Sequence, residues 1–203
     1  MTIWQGNSAG SEEEWSGDTG MAERQKTRED AGTGCGEGGY YMKILVMSDT
    51  HGWDYNAKKA VEKEQPFDVL IHLGDVQETE TEFLRYSGVG FDTPAYFVEG
   101  NCDRTGIYPE SQIVELAGHR LFLTHGNRFY VTFGTEELRD EAARNQCDIA
   151  IYGHTHRPEL EDGDVLVLNP GSMTSPRQEG GQPSYMVMEL QSGKEPRVSL
   201  KYI

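Results

Sequence analysis

The sequence predicts an α/β fold in a single domain, and three observations support that prediction. Short apolar runs alternate with helix-forming segments between residues 43 and 98, which is typical of a parallel sheet whose strands are joined by helical crossovers. The later half alternates short apolar runs with turns around one helical segment, so it is predicted to be largely antiparallel. The length of 203 residues and the 36% hydrophobic content suit one domain with a sizeable core.

The first half begins with an apolar run that is typical of a strand buried on both faces. Pro66 ends the helix-forming segment that follows, because proline lacks the amide hydrogen that a helix uses. The predicted elements are a strand at 43–47, a helix at 55–64, a strand at 69–71, a helix at 78–86 and a strand at 95–98.

The second half is predicted to contain a hairpin, a helix and further short strands. The pair Asp162-Gly163 indicates a turn before one of these strands. The run Asn169-Pro170-Gly171-Ser172 after that strand favours an ordinary turn, with a carbonyl or hydroxyl group near a site as the alternative. The predicted elements are hairpin strands at 113–116 and 121–123, a helix at 135–145, and strands at 149–152, 165–168, 185–190 and 198–203.

Residues 1–41 differ in composition from the rest of the chain. Glycine, serine and charged residues dominate them, and no apolar periodicity is visible. Such a segment buries too little apolar surface to offset the entropy lost on ordering. We therefore expect a disordered N-terminal extension over 1–41 and a folded domain over 42–203, for which Met42 would make a natural start.

Charge and cysteine content exclude several classes of protein. The formal net charge of −16 opposes binding to bulk nucleic acid, because there is no excess of Lys and Arg to replace counterions. No apolar run is long enough to cross a membrane, and no secretory signal is recognisable. The three cysteines lack the spacing of a disulfide framework or a zinc finger, so we expect a reduced, cytoplasmic protein. A homo-oligomer stays open.

Five apolar runs are each followed at once by polar side chains of the kinds that bind metals. In open α/β sheets, sites form beyond the carboxyl ends of the strands, so we expect these side chains to meet. His154 and His156 alternate along the chain, and on extended backbone both rings would point to one side. The set comprises Asp49 and His51, then Asp75, Asn101, His125, and finally His154 and His156.

This set suits two divalent cations. Four imidazoles, two carboxylates and one amide carbonyl are enough for two ions if one carboxylate is shared through its two oxygens, and Gly74 before Asp75 is consistent with Asp75 in that place. Two ions with two carboxylates keep about two positive charges, which attract phosphate. The mixture of nitrogen and oxygen ligands disfavours a purely soft-metal site; we expect Mn²⁺, with Fe, Zn, Co and Ni left open.

These residues resemble the calcineurin-like metallophosphoesterase superfamily from Met42 onwards. The superfamily pattern stands here as Asp49-Thr50-His51, Gly74-Asp75, Gly100-Asn101-Cys102-Asp103, His125 and Gly153-His154-Thr155-His156. The resemblance implies a two-sheet α/β sandwich flanked by helices, and hydrolysis of a small phosphodiester by metal-bound hydroxide. It also implies that Asp49, His51 and His156 hold one metal, that Asn101, His125 and His154 hold the other, and that Asp75 bridges them.

One departure from the pattern concerns catalysis. The wider superfamily has a histidine after the asparagine, whereas this chain has Cys102, whose thiol is a poor substitute for imidazolium. Asp103 is expected to orient a neighbour, in a role that the sequence leaves open. The residues expected to take part in catalysis are Asp49, Asp75, Asn101, Cys102 and Asp103.

The Gly-Asn-Cys-Asp variant and the small size resemble the small prokaryotic phosphodiesterases of the superfamily. A subunit of the eukaryotic retromer coat resembles the same branch, so a protein-binding scaffold is one alternative function. A phosphomonoesterase is another. The presence of all seven ligand-type residues favours catalysis, since a scaffold is free to lose them.

Overall fold

A computed structural model describes residues 41–203, in which two five-stranded sheets pack face to face. The predicted extension lies outside the described residues except for Tyr41, which begins the first strand. The strands are β1 (Tyr41–Met47), β2 (Val69–His72), β3 (Ala95–Phe97), β4 (Ser111–Leu116), β5 (His119–Thr124), β6 (Ile149–Ile151), β7 (Pro158–Glu161), β8 (Leu166–Pro170), β9 (Ser184–Gln191) and β10 (Arg197–Tyr202). The helices are α1 (Tyr55–Glu64), α2 (Glu80–Ser87) and α3 (Glu136–Arg144), with a 3₁₀ turn at Asn127–Phe129.

The first sheet has the order β10-β9-β1-β2-β3. Strands β1, β2 and β3 run parallel, as the alternation of strands and helices predicted, and Ile44 pairs with Val69. Strands β9 and β10 extend the sheet antiparallel on the other side of β1. The parallel strands therefore end together at one edge, where the turns after them meet.

The second sheet has the order β4-β5-β6-β8-β7 and is mixed. The predicted hairpin β4–β5 and the pair β7–β8 are antiparallel, but β5, β6 and β8 run parallel to one another. The prediction of a largely antiparallel second half was therefore wrong in the centre of this sheet. Strand β7 was not predicted, because its sequence Pro-Glu-Leu-Glu has neither an apolar run nor β-branched residues.

The main core lies between the two sheets. Ile44 and Val46 of β1 contribute to it from one side, and Leu121, Leu123 and Ile151 contribute from the other, all essentially inaccessible to water. Each such side chain stabilises the fold by roughly 1.5–3 kcal/mol through burial. This core fixes the two sheets against each other, so the strand ends of both sheets stay in register at the site.

Helices cover the outer faces of both sheets. Helices α1 and α2 pack on the first sheet through Ala60, Val61 and Phe83, and α3 packs on the second through Leu138 and Ala142. The prediction of a two-sheet α/β sandwich flanked by helices is confirmed. Within the described part of the chain, no helix has both the length and the apolar character needed to cross a membrane.

Candidate metal centre

The turns after β1 and β2 are joined by main-chain hydrogen bonds. The amide of Asp49 donates to the carbonyl of Gly74 at 3.1 Å, and the amide of His51 donates to the carbonyl of Asp75 at 2.8 Å. The pairing of the two parallel strands thus continues beyond their ends. It carries three of the candidate ligands into the site on a shared backbone scaffold.

Four side chains form a close group at this edge. They belong to Asp49, His51, Asp75 and His156. Each offers one potential ligand atom, and these four atoms all lie within 4.8 Å of one another. Nε2 of His156 is 3.0 Å from Oδ1 of Asp49, and Nε2 of His51 is 3.8 Å from Oδ2 of Asp75. We call Asp49, His51 and His156 the first ligand group, with Asp75 lying between it and the second.

The carboxylate of Asp49 shows that this group suits a cation. Asp49 is fully buried, and neither of its oxygens accepts a hydrogen bond, although His156 is close. A buried ionised carboxylate is costly unless it is paired, hydrogen-bonded or bound to a metal. Convergence of ring nitrogens on oxygens that lack hydrogen-bond donors is what a metal-binding site requires.

The second ligand group consists of Asn101, His125 and His154. Nε2 of His125 is 3.2 Å from Oδ1 of Asn101 and 3.6 Å from Oδ2 of Asp75. The rings of His125 and His154 are 5.2 Å apart between centroids. The structure therefore brings all seven predicted ligands to the edge formed by the strand ends.

The two histidines after β6 do not lie on extended backbone, so that expectation was wrong. The strand ends at Ile151, and His154 and His156 have φ angles of 65° and 60°. Their rings diverge: His154 lies beside His125 in the second group, and His156 lies beside His51, with a centroid distance of 5.4 Å. One short loop thus supplies a ligand to each group.

Left-handed backbone occurs at five of the seven candidate ligands. Non-glycine residues rarely have positive φ, and each such residue costs of order 1–3 kcal/mol that the surrounding structure must offset. Concentration of this strain at one edge is typical of a functional site. The ligands with positive φ are Asp49, His51, Asp75, His154 and His156.

Carbonyl groups orient two of the histidines. Nδ1 of His125 is 2.6 Å from the carbonyl oxygen of Leu73, and Nδ1 of His156 is 2.7 Å from that of Ser175. Since a carbonyl only accepts, each Nδ1 carries the proton and donates it. The lone pair is then on Nε2, which faces the carboxylates, as in metal-binding histidines.

The charges of the first group are coupled. Burial raises the pKa of Asp49, but the imidazoles of His156 and His125 outweigh burial and hold this pKa below its usual value. Burial lowers the pKa of His156, but Asp49 outweighs it and the net pKa is raised. For His154, burial and His125 both lower the pKa. A neutral His154 keeps a lone pair available for a cation.

Asp75 uses its two oxygens differently. Oδ1 accepts a hydrogen bond from the amide of Cys102 at 2.7 Å. Oδ2 faces both His51 and His125, at 3.8 and 3.6 Å from their Nε2 atoms. Oδ2 thus lies between the two groups, and Oδ1 is held by the turn after β3.

Asp103 is a positioning residue. Its carboxylate accepts hydrogen bonds from three amides: Asp75 at 2.8 Å, Gly100 at 2.8 Å and Gln77 at 2.6 Å. It thereby ties the turn after β3 to the turn after β2. The sequence left the role of Asp103 open, and these hydrogen bonds indicate that it positions the two turns.

Cys102 lies at the surface beside the second group. Its Sγ accepts a hydrogen bond from the amide nitrogen of the Asn101 side chain at 3.2 Å. Burial and the nearby carboxylates, above all Asp75, raise the pKa of the thiol to about 11. The thiol therefore stays protonated at neutral pH.

Residues at the end of β8 and just after it support the backbone of the ligand-bearing turns. The hydroxyls of Ser172 and Thr174 both donate to the carbonyl of Asp49, at 3.1 and 2.9 Å. The side chain of Asn169 donates to the carbonyl of Gly153 at 2.8 Å. The run Asn169-Pro170-Gly171-Ser172 was expected to be an ordinary turn, with a carbonyl or hydroxyl group near a site as the alternative, and the Ser172 hydroxyl fits that alternative. The signal that identifies it is the same one that marks the ligands, polar residues at the end of an apolar strand.

Two glycines of the motifs permit close approach to the ligands. A β-carbon on Gly100 would lie 2.2 Å from the amide nitrogen of Asp75, and one on Gly153 would lie 2.1 Å from Oγ of Ser48. Both distances are far below van der Waals contact. A side chain at either place would displace a ligand-bearing turn.

Comparison with known proteins agrees with this geometry. The sequence pattern of the calcineurin-like phosphoesterase superfamily domain matches residues 42–193. The chain belongs to this superfamily. All seven candidate ligands, Cys102 and Asp103 lie inside the matched range.

Relatives within the superfamily include enzymes. The chain is 42% identical over 167 residues to the phosphodiesterase YfcE of Escherichia coli K12, covering 70% of this chain and 84% of that one. A conserved, predicted phosphoesterase from Streptococcus pneumoniae has a TM-score of 0.69 at 27% identity, covering 80% of this chain and 90% of that one. Vacuolar Protein Sorting 29 of Cryptosporidium parvum shares the fold, with a TM-score of 0.61 at 22% identity, covering 81% of this chain and 98% of that one.

Proposed function

We propose that this metallophosphoesterase is a metal-dependent phosphodiesterase that hydrolyses a small phosphodiester. The observation that carries the proposal is the buried carboxylate of Asp49, which has no hydrogen-bond donor and lies in a group of four potential ligand atoms. Similarity to a bacterial phosphodiesterase supports the diester as substrate.

The seven ligands divide between two cations. Asp49, His51 and His156 would hold one, while Asn101, His125 and His154 would hold the other. Asp75 would serve both. Divalent ions bound there supply Lewis acidity toward the phosphoryl group and lower the pKa of water to about 7. Mn²⁺ is the ion that we favour, and Fe, Zn, Co and Ni suit the same mixed ligand set.

The protein's own contribution is position and charge. Carbonyls of Leu73 and Ser175 hold two imidazoles with Nε2 toward the site. Asp103 holds the turn that carries Asp75. Two carboxylates and neutral imidazoles leave the pair of cations with net positive charge, which favours an anionic phosphate ester in an otherwise acidic protein.

The preference for a diester rests on Cys102. A leaving group that departs with negative charge needs a proton or a positive contact. A protonated thiol is a weak donor and carries no charge, so this chain offers little help at that point. A dianionic monoester gains most from an added cation, whereas a monoanionic diester needs it less.

Turnover of matched aryl esters tests the proposal. We expect the full chain with Mn²⁺ to hydrolyse bis(4-nitrophenyl) phosphate with a higher kcat/KM than 4-nitrophenyl phosphate, and a chelator to stop both reactions. Replacing Mn²⁺ by each of the other four ions ranks the metals. No turnover of either ester with any of the five ions would refute the proposal, and faster hydrolysis of the monoester would refute the choice of diester.

A binding scaffold is the competing function. The likeness to Vacuolar Protein Sorting 29 supports the fold alone at 22% identity. A scaffold has no need for a buried carboxylate that lacks hydrogen-bond donors and is surrounded by imidazoles, which favours catalysis. Tight binding of two metal ions without hydrolysis of any activated ester would support the scaffold instead.

We also infer a cytoplasmic location. The two cysteines among residues 41–203 are free thiols, one exposed and one buried. Free thiols suit a reducing compartment. Cell fractionation tests this inference, and recovery of the protein outside the cytoplasm would contradict it.

A further inference from the structure

A cavity of about 370 Å³ opens directly beside the first ligand group. Its volume is within the range of small-molecule sites, which is about 300–1,000 Å³. His51 is one of its walls, so a group bound in the cavity lies next to a candidate metal ligand. The cavity is lined by His51, Trp53, Tyr55, Asn56, Thr174 and Ser175.

Two large aromatic side chains in this cavity are exposed to solvent. Trp53 is 73% exposed and Tyr55 is 70% exposed. Single exposed aromatic residues are common, but two in one cavity at the edge of a candidate active site form a surface suited to stacking. The amide of Trp53 donates to the carbonyl of Thr50 at 2.9 Å, which ties the ring's backbone to the turn that bears His51.

Two of the polar side chains in the cavity walls are already engaged. The side-chain amide of Asn56 donates to the carbonyl of Met173 at 2.6 Å, and the hydroxyl of Thr174 donates to the carbonyl of Asp49 at 2.9 Å. These donors hold the site together and are not free for a ligand. The two exposed aromatic rings remain available and favour a planar ring as the ligand.

A positive charge lies beside the aromatic surface. Nζ of Lys59 is 4.5 Å from the centroid of the Tyr55 ring. In a chain of net charge −16, a local cation next to the site favours a ligand that carries both a ring and a phosphate. The exposed parts of the Trp53 and Tyr55 rings are then the stacking surfaces.

We infer that this cavity binds an aromatic ring carried by one ester arm of the substrate, and that Trp53 and Tyr55 determine this specificity. The inference rests on the proposed function, because the ring must be attached to the phosphoryl group held by the metal centre. It narrows the substrate class to phosphodiesters with an aryl or heteroaryl arm.

Binding of two phosphate monoesters tests the inference without requiring turnover. Phenyl phosphate and methyl phosphate carry the same phosphate and differ in the ring. We expect the Mn²⁺-loaded full chain to bind phenyl phosphate about tenfold more tightly than methyl phosphate, as judged by calorimetric Kd values. Trp53→Ala and Tyr55→Ala should each reduce this ratio and together bring it close to one, with the Kd of methyl phosphate unchanged.

Two further variants separate stacking from structural damage. Trp53→Phe keeps an aromatic face and should keep most of the preference. Phe91→Ala removes an equally exposed ring, 67% accessible in the loop between α2 and β3, and should leave the ratio intact. A ratio near one in the unaltered protein, or an undiminished ratio in the double alanine variant, would overturn the inference.

The outcomes also separate this inference from the proposed function. Diester hydrolysis without a preference for phenyl phosphate keeps the function and removes the aromatic subsite. A preference that disappears in the alanine variants of a protein that hydrolyses no ester keeps the subsite and removes the function.

Discussion

The two ligand groups of the metal centre are built to different depths in the protein. In the first, Asp49 and His156 are buried and His51 is half-buried, and the hydroxyls of Ser172 and Thr174 donate to the backbone carbonyl of Asp49. In the second, His125 is buried, but Asn101 is exposed and His154 is half-buried. Rigid, desolvated ligands lose less entropy on binding an ion and act in a lower dielectric. We therefore expect the first group to bind its ion more tightly than the second.

Asp75→Ala should have the largest effect, because Oδ2 of this residue lies between both groups. We expect loss of both ions and a fall in kcat of about 10³-fold or more, since the metals supply several kcal/mol of transition-state stabilisation. Elemental analysis and turnover measure the two effects. Asp92→Ala, which removes an exposed carboxylate elsewhere, is the control. Two retained ions with near-normal turnover in the Asp75 variant would show that the residue is not shared.

His156→Ala and His154→Ala form a matched pair, one from each group. His156→Ala should weaken the tighter phase of a metal titration by about 100-fold, and His154→Ala should weaken only the looser phase. Calorimetric titration with Mn²⁺ measures both phases in each variant. If the two substitutions weaken the same phase, the division into two groups is wrong.

The pH dependence of stability should reflect His72, a fully buried residue at the end of β2. Its Nε2 is 3.1 Å from the hydroxyl of Thr50, and its ring stacks on Phe97. Burial lowers its pKa from 6.5 to about 3. As pH falls below 6.5 the unfolded chain takes up a proton that the folded chain does not. Stability is therefore lost between pH 6.5 and about 3, by about 2 kcal/mol at pH 5.

Urea unfolding of chelator-treated protein at pH 7 and pH 5 measures this effect. His72→Leu should make the free energy of unfolding less dependent on pH over that interval. The raised pKa of His156 acts in the opposite direction, since its contribution is lost as pH rises, but it is common to both proteins and cancels. Equal pH slopes in the two proteins would mean that His72 does not titrate as described.

Cys102→His should have the smallest effect, confined to the leaving group beside the second ligand group. An imidazolium there would donate a proton to the leaving group, which a thiol does poorly. The kcat/KM ratio of monoester to diester should therefore rise by about tenfold. The position is exposed, which leaves room for the ring. Cys102→Ser, which adds no charge, is the control and should leave the ratio unchanged. No rise with histidine would contradict the leaving-group argument.

Local signals in the sequence were sufficient to predict the order of elements in the first half and to select the candidate ligands. Apolar runs that end in Asp, Asn or His are visible without any knowledge of the fold. The parallel direction of β5, β6 and β8 could not be predicted, because the sequence of a short strand between turns does not show whether the strand pairs in a parallel or an antiparallel direction. Strand β7 at the edge lacks an apolar pattern and was missed for that reason.

Contacts between distant residues account for what the sequence left open at the site. Thr174 donates a hydrogen bond to Asp49, which is 125 residues away in the sequence. The role of Asp103 is visible only in the structure, where its carboxylate accepts hydrogen bonds from three amides. The positive φ angles of His154 and His156 also depend on surroundings, since Asn169 holds the loop that contains them. No pattern of residue types within the loop itself specifies that conformation.

The main-chain hydrogen bonds between the turns after β1 and β2 have a consequence for protein engineering. Transplanting this centre into another scaffold would fail if only the seven ligand side chains were copied. Main-chain amides and carbonyls fix the backbone positions of Asp49, His51 and Asp75, and these positions would be lost. The transferable unit is a pair of adjacent parallel strands together with both turns. Among natural substitutions only proline deletes an amide, so proline at the position of Gly52, whose amide binds the carbonyl of Val76, would loosen the centre with every ligand still present.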